Sequence, residues 1–168
     1  MEQEVLAKLD STSPDDGFLR LWLARLLRDF GLARTQATSI ARGLFETASS
    51  FRDKTEISRS RGYFSEAGAW FDIAEDESRS VEATVEVAES WFREAELRLN
   101  SESPSILAAV GFLENAIQTY RKIPSAHRTQ HGVTERLEEL HAKLSRTSAA
   151  VQEELPTIQG DSIDISEI

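Results

Sequence analysis

Three histidines and a large excess of arginine are the residues of this chain best suited to chemistry, and their spacing limits what that chemistry can be. His127 and His131 stand four apart, a separation that puts two imidazoles on one face of a helix. A zinc-binding helix of the His-Glu-x-x-His kind needs a glutamate directly after the first histidine, and Arg128 occupies that position. The chain has no cysteine, so neither thiolate ligands nor a thiol nucleophile nor a disulfide is available. The eight glycines are scattered and form no loop that would cradle a phosphate. The adjacent carboxylates Glu138-Glu139 and Glu153-Glu154 fall on expected solvent faces, with no apolar surroundings to shift a pKa for acid–base work. No cofactor and no metal are expected.

One catalytic spacing does occur. Helical ribonucleases of the HEPN type carry an arginine followed four to six residues later by a histidine. Arg121 with His127, and Arg136 with His141, have this separation. Those enzymes place Asn, Asp or His directly after the arginine, whereas Lys122 and Leu137 stand here. Leu137 also belongs to an apolar seam, which makes Arg136 and His141 helix-flank residues. An enzyme of this type is the alternative expectation, behind a non-catalytic domain.

The elements that would hold these side chains are helices throughout. Ser13-Pro14-Asp15-Asp16 is a helix start: a capping hydroxyl, a proline suited to the first helical position, and acids at the positive end. Leu19, Trp22, Leu23, Leu26 and Phe30 follow at helical spacing as the expected buried seam, and Gly31 suits the end. Val5, Leu6 and Leu9 predict a short preceding helix that packs weakly. A second long helix starts at Thr35 or Gln36, with Ala37, Ile40, Ala41, Leu44, Ala48 and Phe51 as its stripe and Gly43 as a weak point. Arg52 to Arg61 lacks periodicity and reads as a loop or linker. Tyr63, Phe64, Ala67, Phe71 and Ala74 restart a stripe, broken by Glu75-Asp76-Glu77-Ser78.

The strongest seam is Val81, Val85, Ala88, Phe92, Ala95 and Leu99. Its opposite face carries Glu82, Glu86, Glu89, Arg93 and Glu96, and the four glutamates are the candidate interaction face. After Ser103-Pro104, Ile106, Val110, Leu113, Ile117 and Tyr120 form the next seam, stopped by Pro124. Val133, Leu137, Leu140, Leu144, Val151 and Leu155 form the last, ended by Pro156. Trp70, Trp91, Phe92 and Tyr120 sit at core-like spacings, which predicts packing rather than a ligand cage. No turn chemistry between alternating apolar runs predicts a strand.

The fold class is therefore all-α: about six or seven antiparallel helices in hairpins, a tetratricopeptide-like, α-solenoid-like bundle. One domain is expected over residues 1–156, with a helix pair at 13–51 and hairpins at 62–155. Residues 157–168 are expected to be an acidic flexible tail or linker. The helix after Pro104 has the small-large-small order Ala109, Leu113, Ala116 of a tetratricopeptide second helix, but the Trp-Leu-Gly-Tyr signature of a first helix is missing.

Net charge is -10, from 19 basic and 29 acidic residues, which opposes general binding to nucleic acid or anionic membranes. The charge is uneven. Residues 15–62 hold nine bases against six acids, residues 75–102 nine acids against three bases, and residues 149–168 five acids and no base. Halves of opposite sign can pack together or steer a partner. An acidic opening, MEQEVLAKLD, is unlike a signal peptide, and no apolar run spans a bilayer, so a cytoplasmic location is expected.

The segments VEVAESWFREAELRL and ENAIQTYRKIPSAHRTQHGVTERLEELHAKL, with the closing DSIDISEI, resemble an N-terminal helical region of large uncharacterised bacterial proteins. In that group the region precedes a domain of unknown function bearing an Arg-Asn-x-x-x-His-Gly motif. The resemblance covers roughly residues 60–168, and the motif itself does not occur here, so no active-site residue carries over. It implies an accessory or scaffold role in a bacterial defence or stress system, with a protein partner that is another domain or a separate chain. A small acidic regulatory or antitoxin-like protein is a further expectation.

Overall fold

A computed structural model of the chain describes residues 2–13, 16 and 18–154, with side chains to residue 151. Pro14, Asp15, Leu155, Pro156 and residues 157–168, which figure in the expectations above, lie outside the described residues. The described residues form eight helices and no strand: α1 Glu2–Ser11, α2 Leu19–Asp29, α3 Ala37–Asp53 entered through a 3-10 turn at Arg34–Gln36, α4 Ile57–Ile73, α5 Glu77–Leu99, α6 Ile106–Arg121, the four-residue α7 Ser125–Arg128, and α8 Val133–Glu154. Helices α3, α4, α5, α6 and α8 pack each on the next, while α1 lies on α2 and α2 on α4. The all-α fold is as expected, and the extra helix is the short turn around His127.

Segment 52–61 corrects the expected linker. Only three residues separate α3 from α4, and the chain reverses there by the same device that ends α2. At Gly31 (φ +66°) the Leu32 N–H donates to Leu27 O at 2.8 Å and the Gly31 N–H to Arg28 O at 2.9 Å, which is the Schellman pattern. It recurs at Thr55 (φ +62°), with Glu56 N–H to Phe51 O at 2.9 Å, and at Glu75 (φ +57°), with Asp76 N–H to Phe71 O at 2.9 Å. Neither Thr55 nor Glu75 is a residue that favours a left-handed backbone, so the turn at 55 carries no glycine signal in the sequence. After Glu75 the Asp76 carboxylate caps α5 by accepting from the Arg79 N–H at 3.2 Å.

Buried apolar side chains form two clusters. The first, from α1 to α4, is aromatic: Phe51 meets Tyr63 at 5.4 Å between ring centroids, and Phe45 meets Phe64 edge-on at 4.9 Å, beside the fully buried Trp70 and Phe71. The second, from α5 to α8, is built of Val81, Ala88, Phe92, Leu113, Ile117, Tyr120 and Leu140, with Val85, Leu137 and Leu144 half-buried against it. Ile106, expected in this core, is half-buried at the start of α6. The weak point at Gly43 has a packing reason: a Cβ there would stand 3.0 Å from Arg20 Nη2, whose guanidinium donates to Thr47 Oγ1 at 3.4 Å.

Candidate functional site

The arginines and histidines that matched the ribonuclease spacing are paired differently in space. Arg121 Nη2 lies 3.2 Å from His141 Nε2, not from His127, and both residues are exposed. His127 Nε2 instead faces Glu77 Oε1 at 3.3 Å across the start of α5. Arg136 turns inward and grips Glu89 through two hydrogen bonds of 2.8 and 2.7 Å. Among the described residues no group of His, Asp and Glu side chains is placed to hold a metal ion.

The row of glutamates on α5 is not one free acidic face. Glu86 pairs with Arg52 of α3, and Glu96 accepts from Lys143 Nζ of α8 at 2.8 Å. Glu82 meets Arg79 of its own helix at 3.1 Å. Glu89 is the most fully engaged: it receives Arg136 and the Tyr120 hydroxyl together. Burial works against its charge, yet hydrogen bonds from Arg136 and Tyr120 outweigh it and hold the carboxyl below its ordinary value. Burial and the same carboxylate push the Tyr120 hydroxyl well up. The reason is positional. A face opposite to the α5–α6 seam is solvent only if nothing else covers it, and α3 and α8 both send cations to it. The basic segment 15–62 and the acidic segment 75–102 also meet directly, since Arg61 reaches Glu94 at 3.4 Å while lying 3.4 Å over the Trp91 ring. Trp91 in turn stacks on Phe112 at 5.7 Å. Arg61 and Trp91 edge a groove of about 510 Å³ and mixed lining along α4 and α5, with Ser65, Val87 and Lys122.

The exposed feature of the molecule is the outer side of α2. The expected seam there is corrected: Leu21, Leu23, Ala24 and Leu27 face the core, while Phe18 (61% exposed), Leu19, Trp22 (57%) and Phe30 (68%) face outward. Phe18, Trp22, Leu26 and Phe30 are spaced by four and make one continuous stripe along the helix. α2 packs on α1 and α4 and reaches α3 through Arg20, while Phe18, Trp22 and Phe30 stay in water. At its far end the stripe borders a wholly apolar dimple of about 200 Å³ between α1 and α2, lined by Val5, Leu26, Leu27, Phe30 and Leu32. Arg34 Nη2 lies 3.7 Å from where a side chain on Gly31 would begin. Arg34 is exposed, and no ion pair joins it to another described residue. Phe18 and Arg34 escaped the sequence reading. The signal that points to this face is the breadth of apolar coverage on α2, because a helix with one buried stripe has no use for both Leu23–Leu27 and Trp22–Leu26–Phe30.

On the other exposed large apolar side chains, Leu97 and Leu107 stand singly and call for no special account. No helix among the described residues is long and apolar enough to cross a membrane. No protein-family model, curated protein or solved structure matches this chain.

Proposed function

We propose that this chain is a non-catalytic helical accessory module that holds a segment of protein against the outer face of α2. One observation carries the reading: Phe18, Leu19, Trp22 and Phe30 are presented to solvent side by side, next to an apolar dimple. Contiguous exposed aromatic surface of this kind marks contact sites, and aromatic residues dominate the energetics of protein interfaces. Other conspicuous side chains are engaged within the fold: Glu86, Glu89 and Glu96 of α5 in interhelical ion pairs, with Arg136 bound to Glu89. The resemblance of residues 60–168 to an N-terminal region of larger bacterial proteins supports an accessory role of this sort. The test is a photo-crosslinking benzoylphenylalanine placed at position 22 in cells that make the protein. A discrete adduct is expected from position 22, none from the exposed position 138 on α8, and loss of the adduct with Phe30→Glu. Equal adducts from both positions, or an adduct indifferent to Phe30→Glu, would refute the face.

A second reading keeps the ribonuclease, because Arg121 and His141 do meet at 3.2 Å on the surface. An imidazole beside a guanidinium is a possible acid–base and phosphate-binding pair. Cleavage of RNA by the purified chain, abolished by both Arg121→Ala and His141→Ala, would establish this reading and overturn the non-catalytic one.

A further inference from the structure

We infer that the occupant of the α2 face is the same face of a second copy of this chain, with the two α2 helices meeting antiparallel about a two-fold axis. The inference rests on the reading of that face as a docking site and names what docks there. The stripe is complementary to itself. Phe18, Trp22, Leu26 and Phe30 run along α2 with an aromatic at each end, about 18 Å apart at 1.5 Å per residue. Turned end for end about the level of Ala24, the stripe sets Phe18 of each copy beside Phe30 of the other, and Trp22 beside Leu26. Ridges of residues four apart are the ones that interdigitate in the commonest class of helix packing. The dimple lined by Val5, Leu26, Leu27, Phe30 and Leu32 then lies where the second copy's Phe18 arrives. Its volume of about 200 Å³ suffices for a phenyl ring, since an apolar cavity of about 150 Å³ holds benzene. A two-fold axis makes every contact twice, so one knob and one dimple per chain serve both copies.

Three observations support this pairing. The charges beside the stripe are already answered: Arg25 and Arg28 bond Glu66 of α4 at 3.2 and 2.8 Å, and Asp29 lies 3.4 Å from Arg28. A strongly acidic or basic partner finds little here to pair with. Two copies of a chain of net charge -10, by contrast, meet at a patch whose own charges cancel, which avoids like-charge repulsion. The area is also sufficient. Phe18, Trp22 and Phe30 are each between 57% and 68% exposed, and with Leu19 they present about 400 Å² of apolar surface, taking 150–250 Å² for a whole aromatic side chain. Contributed by both copies, that is about 800 Å², the apolar share of an interface of about 1,400 Å², which is the size of specific protein interfaces. The third observation is Phe18 itself. It is the N-cap residue of α2, yet its side chain makes no capping hydrogen bond and lies mostly in water. Ser, Thr, Asp or Asn would stabilise the helix start, so an aromatic here forgoes a cap and supplies the knob. The patch is modest, and the dimer is a reversible one of chains that are already folded.

Sedimentation velocity of the purified full-length chain, at concentrations from about 1 to about 100 µM, tests the pairing. A monomer–dimer equilibrium is expected. Phe18→Glu should raise its dissociation constant about thirtyfold or more, the loss typical of a central aromatic anchor. Leu107→Glu, which charges an exposed apolar residue standing alone on α6, should leave it unchanged. Circular dichroism shows whether Phe18→Glu keeps the fold, and Trp22→Ser reads the same surface if it does not. The register is read by benzoylphenylalanine at position 18 in a mixture of isotopically labelled and unlabelled chains. Its adduct is expected between chains, on α1 or on the segment from Leu26 to Leu32, which line the dimple. A chain still monomeric at about 100 µM overturns the inference, as does a dimer indifferent to Phe18→Glu. An adduct that joins position 18 to position 18 overturns the antiparallel arrangement. If the crosslink from position 22 in cells reaches a different protein while the purified chain is monomeric, the docking face stands and only its occupant is wrong; if neither forms, both readings fall.

Discussion

The two halves of this helical row solve the same packing problem with different materials. Helices α1 to α4 enclose an aromatic core, with Phe51, Tyr63, Phe64, Trp70 and Phe71 essentially removed from water. Helices α5 to α8 enclose a more aliphatic one, with Phe92 and Tyr120 among its buried side chains, and reinforce it from outside with charges. Arg136 and Lys143 of α8 both lie over the Phe92 ring, at 4.1 and 4.7 Å, while bonding Glu89 and Glu96 of α5. The first half has apolar surface to spare, which appears on the outer side of α2. The second leaves Leu97 and Leu107 standing singly in water and completes α8 with ion pairs. Surplus apolar surface is available for a partner; ion pairs that close a helix onto its neighbours are not.

Truncations inside either core should have the largest effect. Leu27→Ala and Leu140→Ala each remove a fully buried side chain and should each cost about 2–5 kcal/mol in urea unfolding. A loss below about 1 kcal/mol for Leu140→Ala would mean that α8 is not part of the cooperative unit, and the two halves would then have to be treated as unequal in kind.

Next comes the charge staple of the second half. Arg136→Ala leaves Glu89 half-buried with one partner removed, and should cost about 1.5–3 kcal/mol. Its acid dependence has a definite sign. The Glu89 carboxyl is held below its ordinary value of 4.5 in the folded chain. The stability this supplies is complete above that value and is lost as the pH falls through the lowered one. The difference in stability between the native chain and Glu89→Gln should therefore be full at neutral pH and shrink only in strong acid. A gap independent of pH down to the acid-unfolded range would contradict the role given to the carboxylate.

A smaller change of the opposite sign is expected in the first half. Thr55→Gly relieves a β-branched residue of a left-handed backbone, worth about 1–2 kcal/mol, against an entropic penalty for glycine of about 0.5–1 kcal/mol. A net gain of about 0.5–1 kcal/mol in thermal or urea unfolding is expected, and a loss would show that the Thr55 hydroxyl, bonded to Lys54 O at 2.6 Å, matters more than the strain. Smallest of all, Trp22→Ala should change stability by no more than about 0.5 kcal/mol, since its side chain lies mostly in water. A cost comparable to Leu27→Ala would place Trp22 in the core and end the comparison of the two faces of α2.

Much of this architecture is legible along the chain. The seam from Val81 to Leu99 needs only the period of the helix to be read. The ends at Gly31 and Pro124 follow from backbone chemistry that belongs to those residues. What could not be read is instructive in each instance. The turn at Thr55 is closed by a residue with no preference for its conformation, so α4 starts inside what looks like a linker. Trp22 and Leu23 are adjacent and equally apolar, and composition cannot say which of them a neighbouring helix will cover.

The same limit applies to the candidate site. Periodicity determined that α5 has an acidic face, that α2 carries an apolar seam, and that Arg121, His127, Arg136 and His141 recur at close spacing. Only the tertiary structure decided that the acids of α5 are spent on Arg52, Arg136 and Lys143, that Arg121 meets His141, and that Phe18, Trp22 and Phe30 are left in water. The physical reason is that helical period is a property of residues three and four apart, and is written into the local sequence. Which face of a helix is covered depends on contacts between residues 30 to 50 apart, such as Arg52 with Glu86 and Arg136 with Glu89, and no local pattern records them.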